Sequence, residues 1–213
     1  MIFIGYNDER FVSEINITMQ KAMSNAVPRF LADHTALDLL NTVEIIDGKQ
    51  CDLWQTSDDV KLWLSKAGLL LHTGKMDIQG DSLLNEARTL RETVRELVES
   101  KKNGQSLPIG KLNDYLAQSG SYPALKVGEE GILSIARIYQ PETAKQLLGP
   151  LAEQAADLLA YADFSLVREC ENHECCLWFY DKTKSHRRRW CSMAVCGNRH
   201  KVAKFRQNQK DAD

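Results

Sequence analysis

The sequence predicts a mainly α protein: a helical domain carrying one small β-hairpin, followed by a compact cysteine-rich module at the C-terminus. Three observations carry this expectation. Apolar residues recur at spacings of three and four along most of the chain ahead of position 170. Five of the six cysteines then crowd between positions 170 and 196, leaving only Cys51 elsewhere. Finally, residues 182–210 hold ten basic side chains and no acid.

Taken in order, residues 1–28 read as an amphipathic lead segment with Phe11, Ile15, Ile17, Met19 and Met23, ended by Pro28. FLADHTALDLLNTVEI follows as a buried helix. Leu31, Ala36, Leu37, Leu39, Leu40 and Val43 cover its inner side, and Asp38 and Asn41 lie on its flank. Gly48 supplies a turn. A second helix starts with Ser57 as N-cap, Asp58 and Asp59 at its positive end, and Val60, Leu62, Trp63 and Leu64 as the buried side. Gly68 stops it. The strongest helical pattern is DSLLNEARTLRETVRELVESKKNG. There Leu83, Ala87, Leu90, Val94 and Leu97 form the stripe, Arg88, Arg91 and Arg95 occupy outer faces, and Gly104 marks the end.

A short helix follows with Leu112 and Leu116 inward. The runs Leu125–Val127 and Ile132–Tyr139 flank GEEG and predict the hairpin. A long helix entered at Pro141 and kinked at Gly149–Pro150 then turns Leu151, Ala155, Leu158 and Leu159 to the core. It leads almost directly into Cys170.

Cys170/Cys175 and Cys191/Cys196 are two C-x4-C pairs with fifteen residues between them. Each pair pinches a turn around one edge of a tetrahedron, and the intervening loop brings the second edge round to close it. This is the layout of a structural site for one Zn2+ with four thiolates. Disulfides are the alternative, but a chain without a secretory signal is expected in a reducing compartment. Cys176 stands beside Cys175, and only one of them can complete the first pair; symmetric spacing favours Cys175. His173, His186 and His200 are close enough in sequence to compete.

The run FYDKTKSHRRRWCSMAVCGNRHKVAKFR resembles the CGNR-type treble-clef zinc finger of bacterial proteins. Asp181, Arg188, Arg189, Trp190, Ser192, Met193, Gly197, Asn198, Arg199 and Lys201 fill its pattern around the cysteines. The resemblance implies Cys170, Cys175, Cys191 and Cys196 as ligands, with Cys176 at a variable position. Upstream, ALDLLNTV, the Trp-containing helix ending in KAGL, EARTLRETVREL and LAEQAADLLA resemble the mainly helical ABATE-type domain. That domain commonly precedes CGNR fingers in predicted stress-induced bacterial transcription regulators. Together the resemblances cover residues 29–206 and imply a helical domain at 29–168 and a treble-clef finger at 169–210.

The net charge of −2 hides an asymmetry: −7 over residues 1–169 against +5 over residues 170–213. An acidic body with one concentrated basic module predicts a polyanion partner at the module, namely DNA. Lys182, Lys184, Arg187, Arg188 and Arg189 lie between the cysteine pairs. Arg199, Lys201, Lys204, Arg206 and Lys210 follow along the helix expected after Cys196, with Val202 and Phe205 docking that helix on the finger. Arg188, Arg189 and Arg199 could instead support the metal site, and Trp190 is expected to pack over it.

In the helical domain, Asp38, Asn41, Arg88 and Arg91 are family features by resemblance and could line a pocket for a small anionic ligand. The plainer account is a buried ion pair with helix-packing hydrogen bonds. No nucleophile motif, glycine-rich phosphate loop or HExxH occurs, and a four-thiolate zinc has no open position, so an enzyme is not expected. No apolar run reaches bilayer-spanning length, which predicts a cytoplasmic protein without a membrane partner. One finger offers little groove area, so a homodimer would favour sequence specificity. The expected function is a zinc-dependent DNA-binding transcription regulator whose helical domain senses a ligand or mediates assembly. The rival is a zinc-stabilised ligand-binding or protein-interaction module without nucleic-acid contact.

Overall fold

The computed structural model describes residues 28–70 and 80–210, so the lead segment before Pro28 lies outside the described residues. The architecture is mostly helical with small hairpins and a C-terminal cluster of four cysteines. The first helix, α1, is Thr35–Leu40, shorter than the sequence pattern suggests. Asn41 caps its end, Thr42 turns its hydroxyl onto the Leu39 carbonyl at 2.7 Å, and Val43 opens a strand instead of continuing the helix. The cause is local: Thr42, Val43, Ile45 and Ile46 are β-branched, and Asp47–Gly48 takes φ of 50° and 74°, the tight-hairpin conformation that Gly permits. Strands β1 (Val43–Ile46) and β2 (Lys49–Asp52) therefore pair antiparallel, a second hairpin that the helical reading of this stretch did not anticipate.

Helix α2 (Ser57–Lys66) starts one residue earlier than expected. Thr56, not Ser57, is the N-cap; it accepts from the Asp59 amide while the Asp59 carboxylate reaches back to the Thr56 amide. Val60, Trp63 and Leu64 are buried, whereas Leu62 is exposed because it falls on the opposite side of the helix.

Helix α3 (Ser82–Lys102) runs through the centre and, among the described residues, touches the other helices ahead of Cys170: α1, α2, α4 (Gly110–Ala117), α5 (Ala144–Leu147) and α6 (Gly149–Tyr161). Its Leu83, Ala87, Leu90, Val94 and Leu97 are wholly buried. Truncating any of these leucines to Ala would cost about 2–5 kcal/mol through lost transfer energy and an unfilled cavity. Arg91, expected on an outer face, is buried instead, because Asp52 at the end of β2 supplies its counter-charge. The predicted hairpin is present and longer than expected: β3 (Ser121–Val127) and β4 (Leu133–Tyr139) pair from Ser121↔Tyr139 to Val127↔Leu133.

The third hairpin joins the two parts of the chain. Strands β5 (Val167–Glu169) and β6 (Trp178–Tyr180) pair antiparallel. Because side chains alternate along a strand, Val167 and Trp178 enter the helical core while Phe179 enters a second small core with Leu177, Trp190 and three of the clustered cysteines.

Candidate metal centre and basic face

Two local structures bring the cysteines together. Cys170 follows β5 and its amide donates to the Leu177 carbonyl at 2.9 Å. Between them the Asn172 side chain accepts from the Glu174 amide, and its carbonyl accepts from the Cys175 amide at 2.9 Å, a tight turn that returns Cys175 beside Cys170. Cys191 precedes and Cys196 lies within a wide helical turn, Met193–Gly197, that leads into α7 (Asn198–Lys210). Gly197 lies close beneath two side chains: a Cβ there would lie 2.7 Å from the Met193 sulfur, which would have to move, and 3.2 Å from the Trp190 ring.

The four sulfurs of Cys170, Cys175, Cys191 and Cys196 lie within 4.8 Å of one another. Two of the edges are 3.8 Å (Cys175–Cys191) and 3.6 Å (Cys191–Cys196). A tetrahedron with Zn–S bonds of about 2.3 Å has edges of about 3.8 Å, whereas a disulfide needs about 2.05 Å. The donor set thus fits one Zn2+. Hydrogen bonds from Cys175 and Cys191 hold the Cys170 thiol down, and giving them pushes Cys175 and Cys191 up. Backbone amides help; the Cys191 N–H points at the Cys170 sulfur at 3.4 Å.

Cys176 turns away from this cluster and places its sulfur 3.5 Å from the Val43 carbonyl, where burial pushes its thiol up. The histidines also lie elsewhere. His186 contacts the Asp181 carbonyl, His200 stacks on Trp190 with ring centroids 4.8 Å apart, and His173 is exposed.

Arg188 ties the cluster to the rest of the chain. Its Nε donates to the Trp190 carbonyl at 2.9 Å, and its Nη2 donates to both the Cys191 carbonyl (2.6 Å) and the Leu31 carbonyl (2.7 Å). Nη1 pairs with Asp33, and the guanidinium lies 4.4 Å from the Phe179 ring centroid. The wholly buried Asp181 accepts from the Arg188 amide, the Thr183 amide and the Thr183 hydroxyl. Burial pushes its carboxyl up, but these bonds outweigh it and hold the group below the usual carboxylate range.

The other cations divide. Arg189 pairs with Glu171 at 2.5 Å, and Lys182 lies over the Tyr180 ring. Lys184, Arg187, Arg199, Lys201, Lys204 and Arg206 are exposed, and none of them forms an ion pair with a described residue. Val202 and Phe205 do not dock α7 on the finger; both are exposed, and the finger core is filled by Leu177, Phe179 and Trp190 instead.

Asp38, Asn41, Arg88 and Arg91 each have partners within the protein. Asp38 accepts from the Leu31 and Ala32 amides at 2.8 and 2.9 Å. It is buried, as is Asn41, so neither lies on an open helix flank. Arg88 and Arg91 both grip Asp52, Arg91 in a two-pronged pair of 2.9 and 2.7 Å beneath the Trp54 ring. Burial raises the Asp52 carboxyl, but the Arg91 hydrogen bond and charge bring it below its ordinary value. Sequence reasoning missed Asp52. Its signal was the Asp-x-Trp turn, where Asp52 also accepts from the Trp54 amide at 2.9 Å. A cleft of about 420 Å³ opens elsewhere, between the β1–β2 hairpin and the metal centre, with Glu44, Ile46, Cys175, Leu177, Val195 and Arg199 among its walls.

Residues 33–162 match the family ABATE, described as "Putative stress-induced transcription regulator", and residues 167–209 match the CGNR zinc finger. No curated protein matches the chain. Among the described residues, no helix is long and apolar enough to cross a membrane.

Proposed function

The chain belongs to the ABATE family, and from that premise we propose that it is a zinc-dependent DNA-binding transcription regulator whose finger contacts DNA while its helical domain senses a ligand or mediates assembly. In this reading Cys170, Cys175, Cys191 and Cys196 bind one structural Zn2+. The β5–β6 hairpin, the Cys191–Cys196 turn and α7 form a treble clef around it. A closed set of four thiolates leaves no position for water or substrate, which supports a structural metal and argues against an enzyme.

One observation carries the nucleic-acid reading: four exposed cations on α7 (Arg199, Lys201, Lys204 and Arg206) and three in the loop ahead of Cys191 (Lys182, Lys184 and Arg187) lack an acidic partner among the described residues, on a chain whose remainder is acidic. Cations held apart from carboxylates are free to replace the counterions of a phosphate backbone. Arg188 and Arg189 are assigned to support of the metal centre, not to DNA. A small ligand would be read in the cleft beside the metal centre, because a molecule there touches the helical domain and Arg199 together.

The test is binding of the zinc-loaded chain to duplex DNA over a range of salt, with an Arg187→Ala/Lys201→Ala/Lys204→Ala variant alongside. The expected result is salt-sensitive binding whose slope in log K against log salt falls by about 0.9 for each phosphate contact removed, at unchanged zinc content. No binding at low salt would refute the reading.

A further inference from the structure

The β3–β4 hairpin turns its apolar side outward. Leu125, Val127, Leu133 and Ile135 are between 63% and 78% exposed, and Ile132 at the tip is exposed too. The register places Leu125 opposite Ile135 and Val127 opposite Leu133, so these four share one face of the ribbon. On the other face Ala124, Ala136 and Ile138 are half-buried, and on the apolar face only Ser121 and Tyr139 at the base are. Ion pairing and hydrogen bonding hold the base of the ribbon to α6, with Arg137 3.5 Å and the Tyr139 hydroxyl 3.0 Å from Glu153. A hairpin with an apolar face in water is marginal on its own, and a patch of this size on a soluble chain marks a contact surface.

We propose that this face is the contact of a homodimer, two hairpins packing face to face and antiparallel about a twofold axis. The pattern is self-complementary. An axis through the Lys126–Ser134 pair sets the Leu125–Ile135 row of one copy against the Val127–Leu133 row of the other. At about 3.3 Å per residue, Arg137 lies about 10 Å from that axis towards the base, and the exposed Glu129 and Glu130 lie about as far towards the tip. The antiparallel arrangement thus brings the acidic tip of each copy beside the partner's Arg137, whose side chain stays 58% exposed next to Glu153, with apolar side chains between. Four large side chains, each more than 60% exposed, and the strand backbone around them are the surface each copy would bury. The symmetry is the isologous kind in which one patch meets itself.

The inference goes beyond the nucleic-acid reading and stands or falls without DNA. Sedimentation of the zinc-loaded chain across the micromolar range should give a dimer. Leu125→Lys/Ile135→Lys should raise the dissociation constant more than about 100-fold by burying charge in the apolar centre, with zinc content and helicity unchanged. Glu129→Lys/Glu130→Lys should weaken the dimer, and adding Arg137→Glu should strengthen it again. A monomer throughout, or a dimer indifferent to the lysine pair, would overturn the proposal. If the dimer is lost while salt-dependent DNA binding by the finger persists, the two readings are separated.

Discussion

Asn41 and Trp178 stand 137 positions apart and exchange two hydrogen bonds of 2.8 Å. The Asn41 amide nitrogen donates to the Trp178 carbonyl, and the Trp178 amide donates to the Asn41 carbonyl oxygen. A side-chain amide here does what a neighbouring strand would do for β6, at a point where no strand is available.

Asn41→Ala should therefore destabilise the protein by about 2–5 kcal/mol, since it leaves a buried backbone donor and acceptor unpaired. Asn41→Asp should be no rescue, because a carboxylate would face the Trp178 carbonyl. Chemical denaturation of the zinc-loaded proteins measures both.

Arg187 and Arg188 are adjacent in sequence and opposite in their contacts: Arg187 is exposed, while Arg188 donates to three backbone carbonyls. Arg188→Ala should lower thermal stability and weaken zinc retention, and Arg188→Lys should not restore them, since a single ammonium cannot reach the three carbonyls of Leu31, Trp190 and Cys191. Arg187→Ala should leave both quantities unchanged and alter only the salt dependence of DNA binding. Parallel melting and zinc-competition curves separate the two.

Metal content should follow geometry and not sequence proximity. Cys176→Ser should retain one zinc per chain, while Cys175→Ser should lose it, although the two residues are neighbours. Chelation should loosen the finger and also lower the melting midpoint of the helical part, because Val167 and Trp178 on the finger's own hairpin belong to the helical core. Far-UV circular dichroism before and after chelation, with most helical signal retained, is the check.

Burial pushes the Asp38 carboxyl up to about 6, against the pull of the Ala32 and Leu31 amides that donate to it. The native chain therefore holds a proton that the unfolded chain releases near pH 4. Stability contributed by this group is greatest below about pH 4 and falls by up to about 3 kcal/mol as pH rises to about 6, then stays level. Asp38→Asn keeps the acceptor and removes the titration. The difference between the two stability profiles should slope only within that window; a flat difference would contradict the assignment.

Where burial and periodicity coincide, the fold was legible from residues alone: Leu83, Ala87, Leu90, Val94 and Leu97 are all buried on α3. The cysteine spacing likewise picked out the four sulfurs that converge and left Cys176 aside. What stayed hidden depended on partners distant in the chain. Nothing near Arg91 announces that Asp52 will neutralise it, and nothing near Asn41 announces Trp178. Local competition misled as well. Val43 reads as helical by spacing, yet its β-branched neighbours and the Asp47–Gly48 turn win. Val202 and Phe205 have the spacing of a docking pair, but the small finger core was already full.

Every residue from Asn198 to Gln209 is exposed, so α7 contributes less to the heat capacity of unfolding of the isolated chain than the buried helices do. Any partner that covers it buries Val202 and Phe205 at that moment, and the complex then gains a negative heat-capacity change that the free chain lacks. Calorimetry of association and the ionic-strength slope therefore report on the same helix through different atoms, the first through two apolar side chains and the second through its cations.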